Sequence, residues 1–372
     1  FSTNRLDKKE LETLITNGIE SNRYLAVDES RMLADPARYY KGGKPDLQLF
    51  DKKLYEVNPD DKVAIARAAA EEVLGKDERI ISVDSSYSDG EGSSYRLISN
   101  GFEGESKSTW FSVSASVSIK GEGEARPQDY WYDSALFYDK LTKTGIGAKA
   151  LERVLRKLGQ KKAKSGKYTM VVDPMNVGNL LSPMLSALYG SALQQKNSFL
   201  MDKLDTKVAS DLFTLRDEPH AIGANGSRYF DNEGVATEPR TVFDKGVLKT
   251  YFIDTYNGKK MDIAPTISAP SRLILTLGDK DLNGLVADIK QGILVTGFNG
   301  GNSNSSTGDF SYGIEGFLIE DGKLTQPVNE MNVTGNMVTL WNSLVAVGND
   351  PQPNRSWQIP SLVFEGVDFS GL

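Results

Sequence analysis

The chain has 372 residues, with 43 basic and 50 acidic side chains and a net charge of −7. That acidic balance argues against a dedicated nucleic-acid binder, whose basic face must displace counterions. There is one histidine, His220, and no cysteine, so cysteine nucleophiles, disulfides and CxxC redox pairs are excluded and an ordinary catalytic zinc site lacks ligands. Hydrophobic residues make up 39% and charged residues 25%, an ordinary globular composition with material for two or three domains. No apolar run is long enough to span a membrane. The opening Phe1-Ser2-Thr3-Asn4 has no apolar segment behind it, which predicts a start inside a longer chain rather than a signal peptide. The lack of disulfides fits a cytoplasmic location.

In chain order, Leu11, Leu14, Ile15 and Ile19 recur at helical spacing and predict a helix over Leu6–Ile19. Pro36, Gly42, Gly43 and Pro45 mark Ser30–Asp51 as an extended connector. Asn58-Pro59-Asp60-Asp61 opens a second helix: Asn58 caps, Pro59 suits the first turn, and the aspartates complement the dipole. Gly75 is placed to end it. The period then changes to two. Phe111, Val113, Ala115, Val117 and Ile119 alternate with serines, a strand with one buried and one wet face. Arg79–Ser86 and Tyr95–Glu103 are read as its antiparallel neighbours. A third helix over Gly147–Leu158 runs into Arg153, Arg156, Lys157, Lys161, Lys162, Lys164 and Lys167. This run is read as cations at a helix end followed by a solvated linker. From Tyr168 onward one helical stripe (Val177, Leu180, Leu181, Met184, Leu185, Leu188) precedes short strands. Asp244-Lys245-Gly246 and Asp321-Gly322 are placed as hairpin turns.

Candidate chemistry is sparse. His220 lies in Glu218-Pro219-His220-Ala221, a loop-like setting, and reads as structural. The Gly/Asn/Ser-rich stretch Gly297–Gly313 lacks the helix and the GK[ST] of a phosphate loop, and is read as a mobile loop bordering a groove. Asp84–Gly90 resembles a calcium loop only until its twelfth position, which is Arg96 rather than Glu. It is read as a β-turn.

Six segments, in order, are more specific: Phe199–Leu204, Phe230–Val235, Phe243–Leu248, Thr307–Gly313, Gly316–Gly322 and Val347–Asp350. Together they resemble the PmbA/TldD family, long labelled modulators of DNA gyrase. The resemblance is collinear over essentially the whole chain. It implies an α+β fold, with an N-terminal α/β portion carrying an antiparallel sheet and a C-terminal, mostly antiparallel, sandwich- or barrel-like body. The divisions expected are 1–51, the remnant of an N-terminal α/β domain plus connector; 52–165, a central α+β domain; and 166–372, a β-rich domain.

The family pairs TldD-type subunits, which hold zinc through an HExxxH helix and a distant Cys, with TldE (PmbA) subunits that lack that motif. Here the corresponding amphipathic helix places Ser182 and Ala187 at the histidine positions and Pro183 at the general-base position, while Ile359 falls near the Cys position. A hydroxyl and a methyl cannot replace imidazoles. The resemblance therefore implies a TldE-type chain with no cofactor of its own, zinc being expected only in a TldD-type partner. The partners implied are that subunit in a heterodimer, or a second copy in a homodimer, with peptide or unfolded protein as substrate and neither nucleic acid nor membrane. Gly300, Gly301, Asn302, Gly308, Asp309 and Tyr312 are the candidate lining of a peptide groove; the family commonly has Arg at the position of Tyr312. The competing class is a non-enzymatic scaffold, homodimeric or acting on gyrase.

Overall fold

The computed structural model describes residues 1–372. Helix α1 (Lys8–Asn22) is capped by the Asp7 carboxylate. Its apolar stripe stays largely uncovered: Ile15 and Ile19 are exposed. The connector that follows carries only single helical turns at Pro36–Arg38 and Lys52–Tyr55. Helix α2 (Pro59–Glu71) starts as the sequence demands, with Asn58 Oδ1 accepting from Asp61 N at 2.9 Å. Gly75, at φ +72°, lies in the turns beyond its end.

Strands β1 (Ile80–Ile98), β2 (Phe102–Ile119) and β3 (Gln128–Ala135) form an antiparallel sheet in that order. Two expectations are corrected here. Tyr95–Glu103 is not one strand, because the β1–β2 hairpin turns within it at Ser99–Gly101. Asp84–Gly90 is not a β-turn but the interior of β1, paired residue by residue with β2. In the second case local turn composition lost to cross-strand pairing over a hairpin of unusual length; in the first, Ser99-Asn100-Gly101 is itself the turn. The alternation in β2 holds: Phe111, Val113, Ala115, Val117 and Ile119 are buried against α2 and α3 (Ile146–Leu155). The two helices cross closely, and a Cβ on Gly147 would stand 1.9 Å from Ala69 O.

The basic run divides into cations at the end of α3 and an exposed linker, as its spacing predicts, and two of the helix-end cations are largely buried in ion pairs. Lys157 Nζ lies 2.8 Å from Glu315 Oε1 and 3.2 Å from Asp129 Oδ2, and donates to Gln128 O at 2.9 Å. Arg153 Nε lies 3.2 Å from Asp129 Oδ1. The remaining lysines of the run are exposed.

The rest of the chain runs β4 (Gly166–Val172), α4 (Gly178–Ser186), α5 (Gly190–Gln194), β5 (Leu215–Asp217), β6 (Arg240–Asp244), β7 (Val247–Leu248), α6 (Thr255–Met261), β8 (Leu273–Leu275), α7 (Leu282–Ala287), β9 (Gln291–Ser303), β10 (Asp309–Glu320), β11 (Lys323–Asn336), α8 (Met337–Asn342), β12 (Leu344–Val347), β13 (Trp357–Gln358) and β14 (Leu362–Ser370). The single helix expected here is joined by four short ones, too brief to leave a periodic signature. Six strands pair in the order β11-β10-β9-β4-β14-β12, and the last residues of β14 also pair with β11. That extra pairing closes five strands into a barrel-like ring, antiparallel except for β4 beside β9. A second sheet, β13-β8-β5-β6-β7, packs into the same core. Both anticipated turns are tight two-residue turns with positive φ: Lys245 (46°) with Gly246 (76°), and Asp321 (46°) with Gly322 (76°). The fold is α+β. No helix is long and apolar enough to cross a membrane.

Candidate functional site

Helix α4 follows β4 directly. At the junction Asp173 Oδ1 accepts from Asn176 N (3.1 Å) and Asn176 Nδ2 (2.7 Å), and the same amide donates to Thr296 O at 2.8 Å. Burial pushes the Asp173 carboxyl up to about 6, opposed by its bonds to Asn176 and by the charge of Arg153. Beyond this point α4 buries Leu180, Leu181, Met184 and Leu185 completely or nearly so. Ser182 stands exposed on the outer side, Pro183 is half-buried, and Ala187 is buried at the helix end. Pro183 sits in the second turn, where the missing N–H would have reached Asn179 O. Ile359, just beyond β13, is buried in the large core cluster that also holds Ala187.

The Gly297–Gly313 stretch is not a loop. It is the far half of the β9–β10 hairpin, with only residues 304–308 outside the strands. Glycine and asparagine content hid the pairing: Tyr312 pairs with Gly301, Ser311 with Asn302, and Phe310 with Ser303. Gly300, Gly301, Asn302 and Asp309 lie at the surface, whereas Gly308 and Tyr312 are buried. Tyr312 is stacked on Phe310 (5.4 Å) and edge-on to Phe298 (5.6 Å). Asp309 accepts from Thr307 Oγ1 (2.7 Å) and Asn336 Nδ2 (3.0 Å), and these bonds hold its carboxyl below the ordinary value. The turn is tied down through Asn197, whose Oδ1 accepts from Ser305 Oγ at 2.7 Å.

This hairpin has one open side. Between Gly292 and Val295, β9 is flanked by β4 and β10, but from Gly297 to Ser303 it pairs with β10 alone. The edge opens where β4 gives way to the leading turn of α4, the place at which Asn176 reaches Thr296 O. Sequence spacing brought neither fact to light, because both depend on which strand lies beside which.

His220 belongs to neither group. The Thr237 hydroxyl donates to Arg228 O at 2.5 Å, so its oxygen accepts from His220 Nε2 at 3.1 Å. The imidazole packs on Tyr229 at 5.0 Å between centroids. Burial and then the Lys44 charge lower its affinity for a proton.

Residues 165–371 match the sequence model of the PmbA/TldA metallopeptidase C-terminal domain, and residues 52–158 that of the central domain. The chain belongs to the PmbA/TldD family. Similar proteins include a Metalloprotease PmbA homolog of Haemophilus influenzae, 28% identical over 100% of this chain and 82% of that protein. Metalloprotease PmbA of Escherichia coli O157:H7 is 26% identical over the same shares. Among solved structures, a protein of Bacteroides thetaiotaomicron named as a candidate modulator of DNA gyrase is 73% identical, with a TM-score of 0.99 over 100% of this chain and 85% of that one. TldE from Thermococcus kodakarensis shares the fold, with a TM-score of 0.82 over 99% of this chain and 86% of that one at 21% identity.

The family description implies a metal, and the donors of this PmbA/TldD chain do not fit one. No three His, Cys, Asp or Glu side chains are arranged to hold an ion. On α4, Ser182, Pro183 and Ala187 offer a hydroxyl, a ring and a methyl, none of them a zinc ligand.

Proposed function

We propose that this chain is a non-catalytic TldE/PmbA-type subunit that pairs with a TldD-type zinc metallopeptidase acting on peptides or unfolded protein. One observation carries the reading. Helix α4 keeps its buried stripe while Ser182, Pro183 and Ala187 supply none of the imidazoles or the base of a metallopeptidase helix. Zinc would then reside in the partner. The open edge of β9 beside the start of α4 supports a second role, as one wall of a peptide groove. An extended chain added to Gly297–Ser303 would satisfy backbone N–H and C=O groups left without a strand neighbour. Gly300, Gly301 and Asn302 leave that edge unobstructed by large side chains.

The test is cleavage of an unstructured peptide by this chain alone, by a TldD-type partner alone, and by the mixture. Activity that requires the partner is expected. Chelator-sensitive cleavage by the isolated chain would overturn the proposal. A second reading, a non-enzymatic scaffold that is homodimeric or acts on DNA gyrase, draws on the name carried by the Bacteroides relative. Pull-down separates the two, since recovery of gyrase without a TldD-type protein favours the second.

A further inference from the structure

Away from α4 and the β9–β10 hairpin, a cavity of about 400 Å³ lies between the connector, the β1–β2 hairpin and the loop 227–232. Its frame is tied together by hydrogen bonds. Tyr229 donates its hydroxyl to Pro45 O at 2.6 Å, Tyr40 N donates to Gly234 O at 3.0 Å, and Thr109 N donates to Leu49 O at 3.0 Å. The hairpin tip is pinned by Phe102, buried against Phe230 and Tyr39. The cavity is therefore pre-formed, as small-molecule sites usually are.

One wall is aromatic. Tyr40 lies parallel to Tyr229 (5.2 Å, 12°) and nearly parallel to Phe230 (6.1 Å, 22°). From the hairpin, the Ser94 and Ser106 hydroxyls join the lining and bond each other at 2.8 Å. The cations of the lining differ in commitment. Arg228 is spent on Ser271 Oγ and the carbonyls of Ala269 and Pro270, and Lys107 pairs with Glu91 at 3.4 Å. Arg96 forms no ion pair although it is half-buried, and Lys44 has none either, its Nζ resting over the Tyr229 ring at 5.3 Å and 3.5 Å from His220 Nε2. Two cations without a carboxylate partner beside a stacked aromatic wall favour a ligand joining an aromatic ring to a carboxylate. Glu105 and Asp46, also in the lining and without ion pairs, add acceptors for an ammonium or amide N–H.

We propose that this cavity binds an aromatic residue with a free α-carboxylate, either a free amino acid or the last residue of a peptide. The ring lies along Tyr40 and Phe230, and the carboxylate meets Arg96 and Lys44. The site does not depend on the subunit reading, and its test uses this chain without a partner or cleavage assay.

Isothermal titration of the whole chain with L-phenylalanine, Gly-Gly-Phe and Gly-Gly-Phe amide decides it. At least one of the two acids is expected to bind, the tighter one naming the source. The amide should bind at least tenfold more weakly, because it gives up its charge-assisted contacts with both Arg96 and Lys44. Arg96→Gln should weaken the acids by a similar factor and leave the amide nearly unchanged, with the parent Tm. Lys44→Gln, on an exposed side chain, provides a second variant if Arg96→Gln fails to fold. Equal binding of acid and amide, unaltered acid binding by a folded Arg96→Gln or Lys44→Gln variant, or no binding of either acid at millimolar concentration would overturn the assignment.

Discussion

Asp173 shows how position alters an ordinary side chain. It is buried at the end of β4, and burial raises its carboxyl from 3.8 to about 6. Between those values the folded chain holds a proton that the unfolded chain has released. Stability from this group is thus fully present below 3.8 and is lost as pH rises through about 6, by roughly 3 kcal/mol. Asp173→Asn keeps a carbonyl oxygen for the Asn176 bonds without the buried charge. It is expected to stabilise the chain by about 2–3 kcal/mol at pH 7.5 and by almost nothing near pH 4. Urea unfolding of both proteins across that range is the measurement; a variant less stable than the parent at pH 7.5 would contradict the argument. None of this was legible beforehand, because an aspartate before Pro174 and Asn176 reads as a turn residue. That Ser182, Pro183 and Ala187 carry neither imidazole nor carboxylate was legible, because it is a matter of residue identity along one helix. That Ser182 is exposed and Ala187 buried required the fold.

At the scale of elements, capping and alternation were readable and pairing was not. Asn58 caps α2 and the β2 alternation buries its five apolar residues, since both signals are local. Helix α3 is capped from elsewhere. The Glu72 carboxylate, at the end of α2, accepts from the N–H groups of Gly145 (2.6 Å), Gly147 (2.8 Å) and Ala148 (3.2 Å). No spacing rule predicts an acid 73 residues before the helix it caps. Glu72→Ala should cost about 1–2 kcal/mol, the value of a lost cap. Gly147→Ala should cost about 2–3 kcal/mol, because its Cβ would drive α2 and α3 apart at Ala69 O. Thermal or denaturant unfolding checks both, and a Gly147→Ala protein as stable as the parent would show that the helices can slide apart freely. Asp84–Gly90 and Gly297–Gly313 failed as expectations for a common reason. Glycine, serine and asparagine mark turns only statistically, and a long hairpin partner overrides them.

Across the whole molecule, the three-stranded sheet is joined to the barrel through Lys157. Its ammonium sits between Asp129 of β3 and Glu315 of β10, with both acids largely buried. Lys157→Met would leave two acids with Arg153 alone and should cost about 3–5 kcal/mol, as for other broken buried pairs. Adding Glu315→Leu should recover part of that loss, since removing both partners spares the desolvation of either. Denaturant unfolding measures the cost, and hydrogen exchange in β3 and β10 tests whether the loosening is confined to this junction. A single variant as stable as the parent would show that the pair does not hold the two bodies together. Sequence alone determined the α+β class, the start of α2, the two tight turns and the absence of histidine and carboxylate side chains from α4, because each follows from residue type and short-range spacing. Only the tertiary structure decided the ring closure through β14, the open edge of β9, the burial of Lys157 and the aromatic cavity. Each of those depends on contacts between residues far apart in the chain, which periodicity does not encode.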